Sequence, residues 1–103
     1  MILVHSTGGV LLRLTEERWN HIRRRHPEMS TQRERVLETV QWPDYIQEGD
    51  LGELLAVRHY PQTPLTSKFL VVAYRELSGN DGFVMTAYLT SQPSARRRIT
   101  WKR

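Results

Sequence analysis

The spacing of apolar side chains predicts a strand and then a helix in the first quarter of the chain. Residues 10–14 form a short apolar run that is typical of a strand. Trp19, Ile22 and His26 lie three and four positions apart, so they share one face of a predicted helix. Pro27 disfavours helical geometry in the residue before it, and the helix is therefore expected to end near His26.

Capping residues mark the expected starts of two helices. Thr15 suits the N-cap of the first helix, and Glu16 suits the positive end of its dipole. Thr31 and Glu34 have the spacing of a capping box, which predicts that a second helix begins at Thr31. Apolar residues within 36–40 then follow one face of that helix.

The pattern changes from helix to strand after residue 44. Four strands are predicted, at residues 45–46, 54–60, 68–77 and 83–90. The third has a continuous apolar core, which is typical of a central strand buried on both faces. Short connections between the later strands favour antiparallel pairing. The sequence therefore predicts an α+β fold in which two N-terminal helices pack on a four-stranded antiparallel sheet.

Length and composition indicate one small domain without cysteine chemistry. The 103 residues fit a single domain, 1–103, with a basic C-terminal tail at 95–103. No apolar run approaches the roughly 20 residues of a membrane span, and the start does not resemble a signal peptide. We therefore expect a cytoplasmic protein with no membrane partner. The absence of cysteine excludes disulfides, thiolate zinc sites and cysteine nucleophiles.

Positive charge indicates an anionic partner. The net charge is +4, and the basic residues concentrate in segments 23–25 and 96–103. Nucleic acid is the commonest partner of such a protein. A solubilising surface would carry the same excess charge, so this observation leaves both interpretations open.

The first predicted helix combines proton-transfer groups with phosphate-binding groups. Histidine changes charge near neutral pH, and arginine is a permanently charged fork suited to phosphate. Arg18, His21 and Arg25 form one stripe, in which the flanking guanidiniums favour a neutral imidazole able to act as a general base. His26 has an alternative structural role, bonded to the carbonyls at the helix end.

Metal and cofactor chemistry have little support in the sequence. His21 and His26 are five positions apart, whereas paired helical metal ligands are three or four apart. The chain also has no glycine-rich phosphate loop and no nucleophile elbow. We therefore expect no metal and no cofactor.

Basic and hydroxyl side chains recur along the predicted strands. Arg58, Lys68 and Arg75 are the basic ones. Strand alternation predicts four side chains on one face of the last strand, namely Val84, Thr86, Tyr88 and Thr90. Threonine and tyrosine are also good strand formers, so a purely structural role stays open for them.

The order of motifs resembles that of the phage-type barnase–EndoU–colicin–RelE-like nucleases. Residues 14–28, Leu-Thr-x-x-x-Trp-x-His-Ile-x-x-x-His-Pro-Glu, resemble the opening helix of that group. Residues 42–46 are similar to its Pro-Asp-x-Ile element, and 69–73 to its apolar central strand. Residues 84–88 are similar to its Thr-Ala-Tyr strand, and Trp101 to a tryptophan near its end. The likeness covers about the whole chain, and the His-x-x-x-x-His-Pro spacing is its specific part.

The resemblance implies two helices on a four-stranded antiparallel sheet, with ribonuclease activity, often in a toxin or a phage-related protein. The implied active site takes a histidine from the first helix, a basic residue from a strand and a late hydroxyl. In this sequence those positions are His21 or His26, then Arg58, Lys68 or Arg75, then Thr86. RNA is the implied partner, with an acidic antitoxin or immunity protein as a further candidate.

The expected chemistry is metal-independent cleavage of RNA. The 2′-hydroxyl attacks its adjacent phosphate while one group removes a proton and another protonates the leaving oxygen. His21 is favoured over His26 for proton transfer because of its basic neighbours. Wider RNA contacts are expected from Arg18, Arg25, Lys68, Tyr88, Arg96, Arg97 and Arg98. The alternative is a non-catalytic RNA- or protein-binding module on the same fold.

Overall fold

The protein is an α+β domain built on one seven-stranded mixed sheet. The computed structural model describes residues 1–103. The strands are β1 (Ile2–His5), β2 (Leu11–Leu14), β3 (Tyr45–Glu48), β4 (Leu54–Tyr60), β5 (Lys68–Ser78), β6 (Asp81–Thr90) and β7 (Ile99–Lys102). Between β2 and β3 lie α1 (Glu16–Arg25), a 3-10 helix (Pro27–Thr31) and α2 (Arg33–Gln41). No helix is long and apolar enough to cross a membrane.

The α+β class is confirmed, but the predicted four-stranded antiparallel sheet is wrong. The strands follow the order β1-β2-β6-β5-β4-β3-β7, and β2 runs parallel to β6 while every other neighbouring pair is antiparallel. Short strands near the two chain ends supply the additional pairings. All four residues of β7 are exposed, so this strand has no buried face to mark it in the sequence. The strand occupies residues 99–102 of the basic C-terminal segment.

The first helix forms where its local signals predict it. The Thr15 side chain accepts a hydrogen bond of 3.1 Å from the backbone N–H of Arg18, which confirms Thr15 as the N-cap. The helix ends at Arg25, with His26 as its C-cap, as the following proline predicts.

The predicted capping box of the second helix is wrong. Thr31 is the last residue of the 3-10 helix, and α2 begins at Arg33 with no side-chain cap. The 3-10 segment buries Met29 completely, and the backbone N–H of Gln32 donates to the Met29 carbonyl. Burial of Met29 therefore fixes the conformation of this stretch in place of the capping box.

The main core lies between the helices and one face of the sheet. Trp19 and Ile22 of α1, together with Val36 and Val40 of α2, belong to one buried cluster that includes β5. A second cluster on the opposite face contains Leu55, Val57, Val71 and Ala73. Strand β5 contributes to both clusters, which confirms the prediction of a central strand buried on both faces.

A β-bulge at Met85 reverses the alternation of β6. Ala73 pairs with Thr86 but Tyr74 pairs with Val84, so Met85 has no partner of its own. Val84 consequently packs in the core beneath the helices, whereas Tyr88 packs against the second cluster. The prediction that Val84 shares a face with the hydroxyl residues after it is therefore wrong, since an extra residue shifts the period of two.

The connection between β6 and β7, residues 91–98, crosses the face that carries the second cluster. Strands β5, β4 and β3 separate β6 from β7 in the sheet. The buried Gln47 lies opposite Leu55 on that face, and its Nε2 donates to the Ser94 carbonyl over 2.7 Å. This connection therefore covers a sheet face on which no helix packs.

Gly82 allows three strands to approach one another closely. It lies in β6 opposite Leu12 of β2 and Glu76 of β5. A Cβ atom at this position would overlap the backbone carbonyl of Arg75 and lie 2.6 Å from Leu12 Cδ2. Because backbone atoms of a central strand cannot move aside freely, only glycine fits here without strain.

Gly82→Ala is expected to lower the free energy of unfolding by about 1–3 kcal/mol, because the new methyl group overpacks the strand junction. Gly79 is the matched control, since a Cβ there meets nothing within 4 Å. Gly79→Ala should be neutral or stabilising by about 0.4–1 kcal/mol. Urea unfolding of both variants measures the difference, and equal stabilities would contradict the overlap at Gly82.

Two buried tyrosines differ in how their hydroxyl groups are satisfied. Tyr60 Oη donates to Glu38 Oε1 over 2.6 Å, and burial together with this bond raises the pKa of Tyr60 to about 12. Burial, followed by the charge of Glu76, also raises the pKa of Tyr74. The Tyr74 hydroxyl, however, has no hydrogen-bond partner although its residue is fully buried. An unpaired buried hydroxyl costs stability.

Tyr74→Phe is expected to raise the free energy of unfolding by about 1 kcal/mol, because it removes that unpaired hydroxyl. Tyr60→Phe should lower it by about 1 kcal/mol, because it removes a bond to a carboxylate that is half exposed. Thermal and urea unfolding at neutral pH compare the two variants. A destabilised Tyr74→Phe variant would show that its hydroxyl has a partner.

Candidate functional site

A cleft of about 410 Å³ lies between α1 and β6. Its lining residues come from the first helix with its C-cap and from one strand: Arg18, His21, Arg25, His26, Met85, Thr86 and Tyr88. The cleft therefore brings together six of the residues proposed from the sequence as catalytic or RNA-binding.

The position of α1 follows from the shortness of the pairing between β2 and β6. The two strands pair only at Leu12 with Gly82 and at Arg13 with Phe83. The chain then turns into α1, which contacts β6 beyond that point. Buried Trp19 holds the helix on the core. One side of the cleft is thus formed by α1, and the other is formed by the part of β6 that no longer pairs with β2.

The bulge in β6 brings the hydroxyl side chains to the cleft. Because Met85 is an extra residue, Thr86 and Tyr88 project on the opposite side from Val84. Met85 itself also lines the cleft. Sequence reasoning missed Met85, since nothing in the alternation of this strand marks a bulge.

His26 has a defined environment at the end of α1. Its ring is half-buried and lies 5.8 Å from the Tyr88 ring, centroid to centroid, at an interplanar angle of 35°. Its Nδ1 atom lies 4.0 Å from Glu28 Oε2. The backbone N–H of His26 donates to the Ile22 carbonyl over 2.8 Å, which is the ordinary bond of a helix C-cap and does not involve the imidazole.

His21 lies on the same cleft although it belongs to a different stripe of the helix. It is half-buried and shares the cleft with Arg18 and Arg25, and it also lines a neighbouring cavity of about 280 Å³. The cleft extends round the helix far enough to include both stripes. Helical spacing alone therefore does not separate the two histidines into different sites.

Neither arginine of the cleft forms an ion pair. The ion pairs of the structure join other cations to carboxylates, such as Arg33 to Glu16. Arg18 and Arg25 are exposed and have no carboxylate within 4.0 Å. Their positive charge is therefore available to an anion bound in the cleft.

The basic strand residues proposed from the sequence do not line the cleft. Arg58 faces α2, where its Nη1 donates to the Trp42 carbonyl over 2.5 Å and its Nε lies 3.6 Å from Glu38 Oε1. Arg75 donates to the Leu51 carbonyl, and Lys68 donates to a serine hydroxyl. All three side chains are thus held at other parts of the surface.

The C-terminal arginines also lie elsewhere. Arg97 pairs with Asp50 over 3.0 Å and Arg98 lies 3.9 Å from Glu48, both on the side of the sheet formed by β3 and β7. The backbone N–H of Arg96 donates to Ser94. Two of the three side chains pair with carboxylates, and strands β5, β4 and β3 lie between β6 and β7.

The structure contains no group of three or more histidine, cysteine, aspartate or glutamate side chains that could hold a metal ion. Comparisons with protein-family models, curated proteins and solved structures find no match for this chain. Sequence reasoning also missed Glu28, which does not line the cleft but has its Oε2 atom 4.0 Å from His26 Nδ1. Its place two residues after His26 was the available signal.

Replacing both Arg18 and Arg25 by glutamine is expected to weaken binding of a single-stranded oligonucleotide and to make it less dependent on salt. Removing one arginine–phosphate pair should reduce the slope of log affinity against log salt by about 1. Fluorescence anisotropy with a DNA oligonucleotide, which has no 2′-hydroxyl, measures binding without cleavage. Arg23→Gln is the control, because Arg23 is exposed on the same helix but bonds to Asn20 outside the cleft. Because the cleft variant loses two charges and the control loses one, an effect of the double change no greater than twice that of Arg23→Gln would contradict a specific role of the cleft.

Proposed function

We propose that the protein is a metal-independent ribonuclease whose active site is the cleft between α1 and β6. The single observation that supports this most is that His21 and His26 line one cleft with two arginines that have no ion-pair partners. Proton transfer and phosphate binding are the two tasks of RNA cleavage through the 2′-hydroxyl, and this cleft has residues for both.

The two imidazoles divide the proton transfers. His21, flanked by Arg18 and Arg25, takes the proton of the 2′-hydroxyl, and the 2′-oxygen bonds to phosphorus. The bond from phosphorus to the 5′-oxygen breaks as His26 donates a proton to that oxygen. The products are a 2′,3′-cyclic phosphate and a 5′-hydroxyl end. Each proton transfer contributes about 10²–10⁴-fold to the rate.

The other residues of the cleft bind the RNA. Arg18 and Arg25 stabilise the charge that develops on the non-bridging oxygens of the phosphate. The Thr86 hydroxyl donates a hydrogen bond to a phosphate oxygen. Tyr88 offers a half-buried ring on which a base stacks, as aromatic side chains do in single-stranded RNA recognition. In this proposal the helix arginines take the role that the family resemblance gives to a basic strand residue.

One observation favours a second candidate, a non-catalytic RNA-binding module on the same fold. Arg58, Lys68 and Arg75 all have other partners and lie outside the cleft. A cleft that lacks the basic strand residue implied by the family resemblance still binds RNA through Arg18 and Arg25. In that candidate function the histidines contribute to structure only.

Purified protein is expected to cleave transfer or messenger RNA in the presence of EDTA, and His21→Ala and His26→Ala should each lower the rate about 10²–10⁴-fold. His59→Ala is the matched control, because His59 is exposed and bonds to Ser67 away from the cleft. Gel analysis of end-labelled RNA follows cleavage, and identification of a 2′,3′-cyclic phosphate end tests the reaction type.

The possible results separate the two candidate functions. Cleavage that survives both cleft substitutions would contradict the site assignment. An absence of cleavage by the wild-type protein, with salt-dependent RNA binding intact, would favour the binding module.

A further inference from the structure

We infer that Glu28 is a positioning residue that fixes the orientation and tautomer of His26, an inference that rests on the proposed function of the cleft. Glu28 is the first carboxylate after the helix, and its Oε2 lies 4.0 Å from His26 Nδ1. Its side chain is only 18% exposed. It is therefore a mostly buried carboxylate that lies beside one particular ring nitrogen.

The 3-10 helix fixes the position of this carboxylate. Pro27 begins the 3-10 helix directly after His26, and Met29, which follows Glu28, is fully buried in the core. The backbone N–H of Met29 donates to the His26 carbonyl over 2.9 Å. Both neighbours of Glu28 are thus held, so the carboxylate and the imidazole are presented to each other by a rigid segment.

The His26 ring has a second contact, with an aromatic side chain of β6. The Tyr88 ring lies 5.8 Å from that of His26 on the side of β6. With Nδ1 directed at Glu28, Nε2 lies across the ring from the carboxylate. A carboxylate that accepts a hydrogen bond from Nδ1–H determines which nitrogen is free, as in other histidines that carry out acid–base chemistry. Nε2 is then the atom that exchanges protons with the substrate.

The present separation is an ion-pair distance and is longer than a hydrogen bond. Hydrogen bonds between catalytic groups are often long in the free enzyme and shorten when substrate binds. The charged and titratable groups that face or flank His26 are Arg25 and His21 of α1, Glu28 of the 3-10 helix and Tyr88 of β6. Among these, Glu28 alone is a carboxylate, so it alone can accept a hydrogen bond from Nδ1–H as an anion.

Two substitutions of Glu28 distinguish an effect of its hydrogen-bond acceptor on the orientation of His26 from an effect of the size of its side chain. Glu28→Ala removes the acceptor, so His26 should lose its preference for the Nδ1–H tautomer. The kcat for RNA cleavage should fall about tenfold to a hundredfold, with KM changed less than about twofold, because the ring is misplaced. Glu28→Gln keeps an acceptor of the same shape and should retain the tautomer and most of the activity. Glu34→Ala is the control, because Glu34 is exposed and lies outside the cleft.

Nitrogen-15 NMR of the histidine rings above pH 8 reads the tautomer directly and does not need an active enzyme. A His26 ring with its proton on Nδ1 in the wild type, and not in Glu28→Ala, supports the inference. A His26 tautomer that is the same in both proteins, with native folding verified by circular dichroism, overturns it. If the tautomer depends on Glu28 but the wild type cleaves no RNA, the proposed function fails while the positioning of the ring is supported.

Discussion

The close approach of β2, β5 and β6 at Gly82 is the constraint on which the rest of the architecture depends. Only there do β2 and β6 lie side by side, and only a residue without a side chain fits between the Arg75 carbonyl and Leu12. This contact joins parts of the chain that are some 70 residues apart, and β2 leads directly into α1 through the Thr15 N-cap. The strand junction therefore fixes where α1, and hence one side of the cleft, begins relative to β6.

Two further consequences come from the same sheet. Because β6 separates from β2 after Phe83, its later residues are free to bulge and to face a helix. Because β6 and β7 lie far apart in the strand order, the chain must cross the sheet to reach β7, and that connection covers the second apolar cluster. The strand order therefore determines both how α1 meets β6 and why the β6–β7 connection covers the opposite face of the sheet.

Apart from the start of α2, features that depend on neighbouring residues were predictable from the sequence, and features that depend on distant ones were not. Thr15 and Pro27 bound α1 through contacts within one turn, so the helix and its stripes follow from spacing. The parallel pairing of β2, the strand β7 and the bulge at Met85 depend on partners far along the chain. The helix side of the cleft was accordingly predictable, whereas the absence of Arg58 and Arg75 from it depends on their unforeseen contacts with Trp42 and Leu51.

The two sides of the cleft, α1 and β6, lie far apart in the sequence. This separation has a consequence during synthesis of the chain. The residues of α1 leave the ribosome about 60 residues before those of β6, a delay on the order of several seconds at ordinary rates of translation. A ten-residue helix is too short to be stable alone, so α1 becomes firmly ordered only when the strands assemble against it. A nascent chain therefore carries both histidines without a cleft, and any activity of this site begins only once β6 has emerged and paired.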